Sequence, residues 1–264
     1  MRRLFSVLLI LIMTQLIGCN IPPPTRDGSP NQDVDVSNIP NAVPKVEPFS
    51  RYGNSPEYTV NGHTYHVIQS SVGYAKTGIA SWYGTKFHGH LTSDREIFDM
   101  FGMTAANTEL PLPTFVYVTN LENGRQVIVK VNDRGPFNAD RIIDLSYAAA
   151  KKLGFANKGT TLVKVTAIDP HTWHDNNTLP TTVPITHKPR IYLQAGAFQA
   201  LANAESLKTR ITKLTQAQVT IKQGTYNNLP IYRVRIGPLA NVPESDRIEK
   251  LLENHDIHVI AIVG

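Results

Sequence analysis

The sequence holds a single cysteine, Cys19, among its 264 residues. Without a second cysteine no disulfide can form within the chain, so the folded domains must be stable through their cores alone. The sequence also lacks an apolar run of about 20 residues, the length that crosses a bilayer as a helix. Lysine and arginine are not clustered, which argues against nucleic acid as a partner. The scattered histidines show no metal-ligand spacing, and we expect neither a metal nor a cofactor.

The first 19 residues have the pattern of a secretion signal. Met1-Arg2-Arg3 precedes a short apolar run, and Leu16-Ile17-Gly18-Cys19 places a small residue before the cysteine. This ending resembles a bacterial lipobox, which implies cleavage before Cys19 and acylation of its thiol and new amino group. An ordinary signal peptide with a chance cysteine is the alternative. Asn20 resembles the residue found in lipoproteins sent to the outer membrane, so we expect the protein at the periplasmic face of that membrane.

Residues 20–55 are rich in proline and show no apolar period. This composition predicts an extended, partly polyproline tether. At roughly 3 Å per residue such a segment reaches about 100 Å, enough to place a domain in the cell-wall layer. The formal net charge of +5 is mild, and it suits an anionic polymer better than a small anionic metabolite.

Residues 56–169 combine short apolar strands with turn residues. Asn61-Gly62 and Asn123-Gly124 each separate two alternating runs, which is typical of β-hairpins. One short helix is predicted at Ala148–Leu153, capped by Ser146. Many short strands with one small helix indicate a compact β-barrel.

A second linker, residues 170–188, is predicted from its proline, threonine and asparagine content, and residues 189–264 follow with a βαββαβ pattern. This order predicts a small α+β domain whose two helices cover one sheet face. Alternation along the first and third strands then directs four polar side chains to the other face. These are Tyr192, Gln194, Arg233 and Arg235.

Several motifs between residues 57 and 168 closely resemble the rare lipoprotein A family. They are Gly78-Ile79-Ala80-Ser81-Trp82-Tyr83-Gly84, Phe87-His88-Gly89, Thr104-Ala105-Ala106, Val118-Thr119-Asn120-Leu121-Glu122-Asn123-Gly124, Val131-Asn132-Asp133-Arg134-Gly135-Pro136-Phe137 and Arg141-Ile142-Ile143-Asp144-Leu145-Ser146. The resemblance implies a six-stranded double-psi β-barrel. It also implies a lyase, a lytic transglycosylase that cuts peptidoglycan strands already stripped of their peptides.

The family's catalytic pattern is a glutamate, a histidine and an aspartate. The glutamate falls on Glu96 and the aspartate on Asp133, whereas the histidine position holds Asn107. Cleaving a glycosidic bond needs a proton on the leaving oxygen, and the muramic C6 hydroxyl is the nucleophile in a transglycosylase. We expect Asp133 to be the acid, partly desolvated so that it holds a proton near neutral pH. Glu96 is expected to shape the charge of the site or to share proton handling.

Apart from the family, these residues have plainer interpretations. An aspartate before Arg-Gly-Pro often braces its own turn, and Glu96 in a charged loop is typical of solvated surface. Asn107 cannot titrate, but it can orient a sugar by hydrogen bonding, so we interpret it as lining the site.

Four further residues near these motifs have two interpretations each. His88 either lines the site or belongs to a loop, and the same two interpretations apply to His90. Trp82 and Tyr83 stack on sugar rings or pack in the core. Asp144 is expected to support the start of the short helix.

Gln194-Ala195-Gly196-Ala197-Phe198 and Tyr232-Arg233-Val234-Arg235-Ile236-Gly237-Pro238 resemble the SPOR domain, a small RNP-like domain. This resemblance implies binding of peptide-free glycan at division septa. Removing the peptides leaves free lactyl carboxylates, which suit the outward Arg233 and Arg235. A solvated sheet face is the alternative. Ile231 stands where SPOR domains often carry an aromatic residue.

The sequence therefore predicts a lipid-anchored lytic transglycosylase, endolytic or exolytic, that acts on denuded glycan and forms 1,6-anhydro-muramic ends during daughter-cell separation. The expected partners are denuded strands, the membrane through the lipid, and septal division proteins. A glycan-binding lipoprotein with an inactive barrel is the main alternative, favoured by Asn107. A hydrolase acting on the same polymer is a third possibility.

Overall fold

A computed structural model describes most of the chain, and the described residues are 26–138, 140–174, 182–186 and 189–264. They form a closed six-stranded barrel, a four-stranded sheet with two helices, and a two-stranded hairpin. The predicted signal at residues 1–19, its Cys19 and residues 20–25 lie outside the described residues, as does part of the 170–188 linker.

The strands of the described chain are β1 Glu57–Val60, β2 His63–His66, β3 Ala75–Tyr83, β4 Thr104–Ala106, β5 Thr114–Asn120, β6 Gln126–Asp133, β7 Arg141–Ser146, β8 Thr161–Ala167, β9 Ile191–Phe198, β10 Val219–Tyr226, β11 Leu229–Leu239 and β12 Ile260–Val263. The helices are α1 Tyr147–Leu153, α2 Leu201–Leu214 and α3 Val242–Glu253, with a short 3₁₀ turn at Ala156–Lys158.

The barrel closes in the order β3-β7-β4-β6-β5-β8. Two of its pairs, β3 with β7 and β4 with β6, are parallel, and the others are antiparallel. Valines of β5, β6 and β8 fill the interior together with residues of α1. Ser146 caps α1 by accepting a hydrogen bond from Ala149 N, and Gly154 ends it in the left-handed conformation. The predicted barrel, its hairpin turns and its single small helix are confirmed.

The second domain has the predicted βαββαβ order, with its sheet arranged β10-β11-β9-β12 and all neighbours antiparallel. Both helices pack on the face that carries Leu193 and Val234, which are fully buried. Three barrel residues, Ile79, Leu121 and Leu162, join the same apolar cluster. The two domains therefore touch through apolar side chains.

The proline-rich segment is not the free tether that its composition predicts. We call residues 26–55 the belt, because they run along the barrel surface in the structure. Val36 is 6% exposed within the barrel's core cluster. Ala42 N donates to Ile128 O at 3.1 Å, and Ser50 N donates to Leu112 O at 2.8 Å. Contacts with the barrel, which local composition does not encode, hold this segment against the barrel surface.

No helix in the described part of the chain has both the length and the apolar character needed to cross a membrane.

Candidate active site

Asp133 ends β6 at the rim of the barrel and is half-buried. Its Oδ1 atom accepts three hydrogen bonds, from Ser93 N at 2.8 Å, Ser93 Oγ at 2.6 Å and Arg134 N at 2.8 Å. Three hydrogen bonds therefore fix the Asp133 carboxyl group at the end of β6, next to the loop that carries Ser93.

Glu96 lies beside the same strand end. Its Oε1 accepts from Lys130 Nζ at 2.6 Å, and its Oε2 accepts from Asn132 Nδ2 at 2.9 Å. Burial opposes ionisation of Glu96, but the Lys130 ammonium and the Asn132 amide outweigh it and lower the pKa of Glu96. Lys130 also contacts Glu47 of the belt at 3.0 Å. Glu96 is thus an anion, and the Lys130 ammonium that pairs with it also pairs with Glu47 of the belt.

One tight loop carries both Glu96 and Ser93, the residue that holds Asp133, to the end of β6. Asp94 N donates to Asn132 O at 3.3 Å, and this bond ties the loop to β6 at the residue before Asp133. Arg95 adopts a left-handed φ of 75°, and Asp94 Oδ1 accepts from Glu96 N at 3.1 Å. The structure brings together the two carboxyl groups that the family resemblance selects.

A third carboxyl group belongs to this region, and the sequence analysis gave it another role. Asp144 on β7 accepts a hydrogen bond from Ser81 Oγ on β3. Burial raises the pKa of Asp144, against the opposing effects of the Ser81 hydroxyl and the Arg141 guanidinium. Because the Ser146 hydroxyl caps α1, the expectation that Asp144 supports the helix start is wrong.

Register places Asp133 and Asp144 on either side of one residue. Ala106 on β4 pairs with Asp133 on β6 and with Asp144 on β7. The β4–β6 register shifts between Ala105 and Ala106, so two residues of β6 oppose one of β4 at this point. The shift depends on strand pairing across the barrel, and no local sequence signal predicts it.

Asn107 does not line the site, contrary to expectation. It is 1% exposed, and backbone groups occupy its amide. Its Nδ2 donates to Ile142 O at 2.9 Å, while its Oδ1 accepts from Glu109 N at 2.8 Å and Leu110 N at 2.7 Å. Asn107 therefore holds the turn after β4 and offers no free polar atom to a ligand.

The two aromatic candidates are packing residues. Trp82 Nε1 donates to Ala156 O at 3.0 Å, and the ring packs edge-on against Tyr147 at 5.4 Å. Tyr83 is 8% exposed and stacks on Phe98 at 4.1 Å. Burial, reinforced by Asp133 and Asp144, raises the pKa of Tyr83 far above its ordinary value. Of the two interpretations, core packing is the one that the structure supports.

His88 lies in the turn after β3. Its Nδ1 accepts from Met100 N at 3.2 Å and lies 3.6 Å from Asp99 Oδ1. His88 ties the turn to the loop at Asp99–Met100, and its neighbour His90 accepts from Phe98 N at 2.8 Å through its backbone oxygen. Both histidines have loop roles here.

Arg134 is a residue whose role the sequence analysis missed. Its guanidinium donates to Gly53 O at 2.7 Å, Leu110 O at 2.6 Å, Asn107 O at 2.9 Å and Asn54 Oδ1 at 3.0 Å. It thereby ties the belt to the loop that follows β4, directly beside Asp133.

On the second domain, the four predicted side chains share the sheet face away from the helices. Tyr192 and Gln194 alternate with buried Ile191 and Leu193, as predicted. The corresponding residues of β11 are Arg233 and Arg235, which flank buried Val234. Arg235 pairs with Gln194 in register. The Nε atom of Arg235 is buried without a hydrogen-bond partner in the described structure. This face presents a half-buried cationic strip.

Within the described residues, no group of three or more His, Cys, Asp or Glu side chains is arranged to hold a metal ion.

Two family models match the chain. The model described as lytic transglycolase covers residues 75–165, and the SPOR domain model covers residues 188–258. Both matches agree with the two domains seen in the structure.

Curated relatives match over most of the chain. An endolytic peptidoglycan transglycosylase RlpA from Pseudomonas aeruginosa (strain UCBPP-PA14) is 41% identical, covering 86% of this chain and 81% of the relative. The protein of the same name from Vibrio cholerae is 46% identical over 64% of each chain. The crystal structure of the RlpA SPOR domain from Pseudomonas aeruginosa is 30% identical, with a TM-score of 0.27, and covers 27% of this chain and 96% of that one.

Proposed function

The chain belongs to the RlpA family of endolytic peptidoglycan transglycosylases, and on that basis we propose its substrate, its product and the groups that act at its barrel. The protein is a peptidoglycan lytic transglycosylase with a SPOR domain. We propose that it acts on peptide-stripped strands and leaves 1,6-anhydro-muramic ends.

The observation that carries this proposal is the pair of carboxyl groups fixed at one end of β6. Asp133 is held by three donors on one oxygen, and Glu96 is held by Lys130 and Asn132. Positive charge grows on the sugar ring as the glycosidic bond breaks, and fixed carboxylates stabilise that charge. We assign to Asp133, which forms no ion pair among the described residues, the role of accepting the proton of the attacking muramic C6 hydroxyl.

The second domain supplies the substrate preference. A strand stripped of peptides carries a carboxylate on every muramic residue, and Arg233 and Arg235 offer charge-assisted hydrogen bonds to such groups. Joining a binding domain to a catalytic barrel raises the local concentration of strands near the barrel. We assign the domain to septal peptidoglycan, where such strands accumulate.

Anchoring follows from the lipobox-like ending at Cys19. Residues 20–25 lie between that cysteine and the first belt residue, Arg26. At about 3.3 Å per residue these six residues span about 20 Å at most. An acylated Cys19 therefore keeps the barrel close to the outer membrane, rather than at the 100 Å or so that a free 20–55 tether would give.

Asn107 is the feature that favours a second candidate, glycan binding without cleavage. The family resemblance places a histidine there, and an asparagine cannot transfer a proton. The retained carboxylates favour cleavage, and one experiment separates the two candidates.

The chain without residues 1–19 is incubated with amidase-stripped glycan, and the soluble products are analysed by mass spectrometry. Anhydro-muramic ends are expected, with Asp133→Asn abolishing them while the variant still sediments with the glycan. Reducing ends one water heavier would indicate hydrolysis, and intact strands that pellet with the parent protein would leave binding alone. Asp169→Asn, an exposed carboxyl after β8, is the matched control.

A further inference from the structure

We propose that Asp144 is the proton donor of the reaction, acting opposite the Asp133 carboxylate. This inference rests on the proposed transglycosylation and adds the acid that it requires. Three donors point at Asp133 Oδ1, and the Lys130 ammonium pairs with Glu96, so neither carboxyl group is arranged to donate a proton to the leaving oxygen.

Asp144 differs from both in its surroundings. Its Oδ1 has a hydroxyl as its partner, Ser81 Oγ, and Arg141 Nη1 donates to that hydroxyl at 3.0 Å rather than to the carboxyl group. The Arg141 guanidinium therefore reaches the Asp144 carboxyl group only through the Ser81 hydroxyl. Asp144 forms no ion pair in the described structure. Burial of this carboxyl group raises its pKa, which favours the protonated form.

The carboxyl group of Asp144 is not fully enclosed by the protein. The residue is half-buried, and Gly135 faces it across the rim. A Cβ on Gly135 would lie 4.0 Å from Asp144 Oδ2 and 3.7 Å from Ala106 Cβ. Gly135 has a φ of 136°, which other residues rarely adopt. A side chain at position 135 would therefore come into contact with Asp144 Oδ2, and glycine avoids that contact.

Four charged or titratable groups face Asp144 from the elements packed around it. Arg141 comes from its own strand, Asp27 from the belt, Asp133 from β6, and Tyr83 from β3. The two neighbouring aspartates raise the pKa of Asp144 further, and the guanidinium of Arg141 opposes them. Loss of the anion at Asp133 would therefore make Asp144 a stronger acid.

The step balances without another reactant. Asp144 gives its proton to the glycosidic oxygen as the bond from that oxygen to muramic C1 breaks. The muramic C6 oxygen forms a new bond to C1, and its proton passes to the Asp133 carboxylate. Transfer of that proton from Asp133 back to Asp144 restores both groups, so no water is consumed and the 1,6-anhydro ring is the product.

The test compares two leaving groups. Asp144→Asn is expected to slow formation of anhydro ends from denuded glycan by about 100-fold or more, the usual contribution of a general acid. A strand with 4-nitrophenol on the terminal muramic C1 needs no protonation, so Asp144→Asn should cleave it within about 10-fold of the parent rate. Asp133→Asn should slow both substrates. Asp246→Asn on α3 is the control, because burial also raises the pKa of that carboxyl group.

An Asp144→Asn variant that cleaves denuded glycan at the parent rate would overturn the assignment. So would an equal loss on both substrates in a variant whose thermal unfolding matches the parent. If the parent itself forms no anhydro ends, the proposed function fails, which is a separate result.

A second variant decides the matter if Asp144→Asn does not fold. Ser81→Ala removes the hydroxyl that lowers the pKa of Asp144, so the pKa rises. Asp144 then stays protonated to higher pH, so the alkaline limb of the rate profile should move to higher pH. An unchanged alkaline limb in an active Ser81→Ala variant would contradict the proposal.

Discussion

Arg134 Nη2 donates to the side-chain oxygen of Asn54 at 3.0 Å, and this contact fixes the end of the belt against the catalytic rim. The same guanidinium holds the backbone oxygens of Gly53, Asn107 and Leu110. Burial lowers the pKa of Arg134 although the group remains a cation. The residue next to Asp133 is thus committed to structure, and the belt is part of the barrel domain.

Replacing Arg134 with alanine removes four hydrogen bonds and leaves the backbone oxygens of Gly53, Asn107 and Leu110 without this donor, so we expect the free energy of unfolding to fall by about 3 kcal/mol or more. Lysine should not rescue it, because an ammonium cannot reproduce the planar fork. Urea unfolding of Arg134→Ala and Arg134→Lys measures this. Arg51→Ala, an exposed belt residue, is the control and should stay within about 0.5 kcal/mol of the parent. Unchanged stability in Arg134→Ala would mean that the belt is not held this way.

Lys130 sets the charge of Glu96, and its loss should appear in the pH profile. Lys130→Met removes the ammonium that lowers the pKa of Glu96, so that pKa rises. If ionised Glu96 supports cleavage, the acidic limb of the rate profile should move to higher pH. Lys164→Met, at an exposed position on β8, is the control and should leave the limb in place. An unmoved acidic limb in Lys130→Met would exclude Glu96 from the reaction.

Local patterns predicted most of the fold. The asparagine-glycine turn at Asn61-Gly62 has φ values of 52° and 80°, as a type I′ hairpin requires, and Ser146 caps α1 as expected. Alternation alone placed Arg233 and Arg235 on the outer sheet face. These features depend on residues close in sequence, which is why sequence patterns capture them.

What the sequence could not predict depends on long-range pairing. β4 is three residues long and carries no alternating pattern, yet it sets Asp133 and Asp144 on either side of Ala106. The belt was misjudged for the same reason, since Val36 is buried only because the barrel lies beneath it. The roles of Asn107 and Arg134 in holding backbone oxygens likewise follow from tertiary contacts.

Replacing Asn107 with histidine, the residue of the family pattern, tests whether this position takes part in the reaction. Because the site is 1% exposed and its amide satisfies three backbone groups, an imidazole would leave some of them unpaired. We expect Asn107→His to lower the free energy of unfolding by about 2 kcal/mol without raising the rate of anhydro-end formation. Thermal unfolding and the mass-spectrometric assay measure the two effects. If Asn107→His formed anhydro ends faster than the parent, position 107 would take part in the reaction. The asparagine would then account for a reduced catalytic rate in the parent.

The outer sheet face of the second domain should bind carboxylates. Arg233→Ala with Arg235→Ala is expected to reduce pelleting with denuded glycan about 10-fold or more, and to flatten its dependence on salt. Binding to peptide-capped glycan should change little. Lys208→Ala with Lys213→Ala, both exposed on α2 at the opposite face, provides the matched loss of two charges. Unchanged pelleting by the double variant would remove the arginines from recognition.

The contact between the two domains should weaken as pH rises. Burial and the neighbouring Asp140 raise the pKa of Glu249 on α3 to about 8. The folded protein therefore binds this proton at pH values where the unfolded chain, with a glutamate pKa near 4.3, has lost it. Stability from the protonated group is fully present below the unfolded pKa and is lost as pH rises through about 8. Asp140 also accepts from Ala261 N at 2.8 Å, so its contacts join barrel and second domain.

Glu249→Gln keeps the neutral shape of the protonated group, so its thermal midpoint should depend less on pH than that of the parent between pH 5 and about 8. Its advantage over the parent should be largest at the alkaline end, where the parent carries two carboxylates in contact. Glu205→Gln, exposed on α2, is the control, since no change of slope is expected there. Differential scanning calorimetry across this range decides the matter: parallel pH curves for Glu249→Gln and the parent would show that Glu249 titrates as an ordinary surface glutamate and that the interdomain contact does not respond to pH.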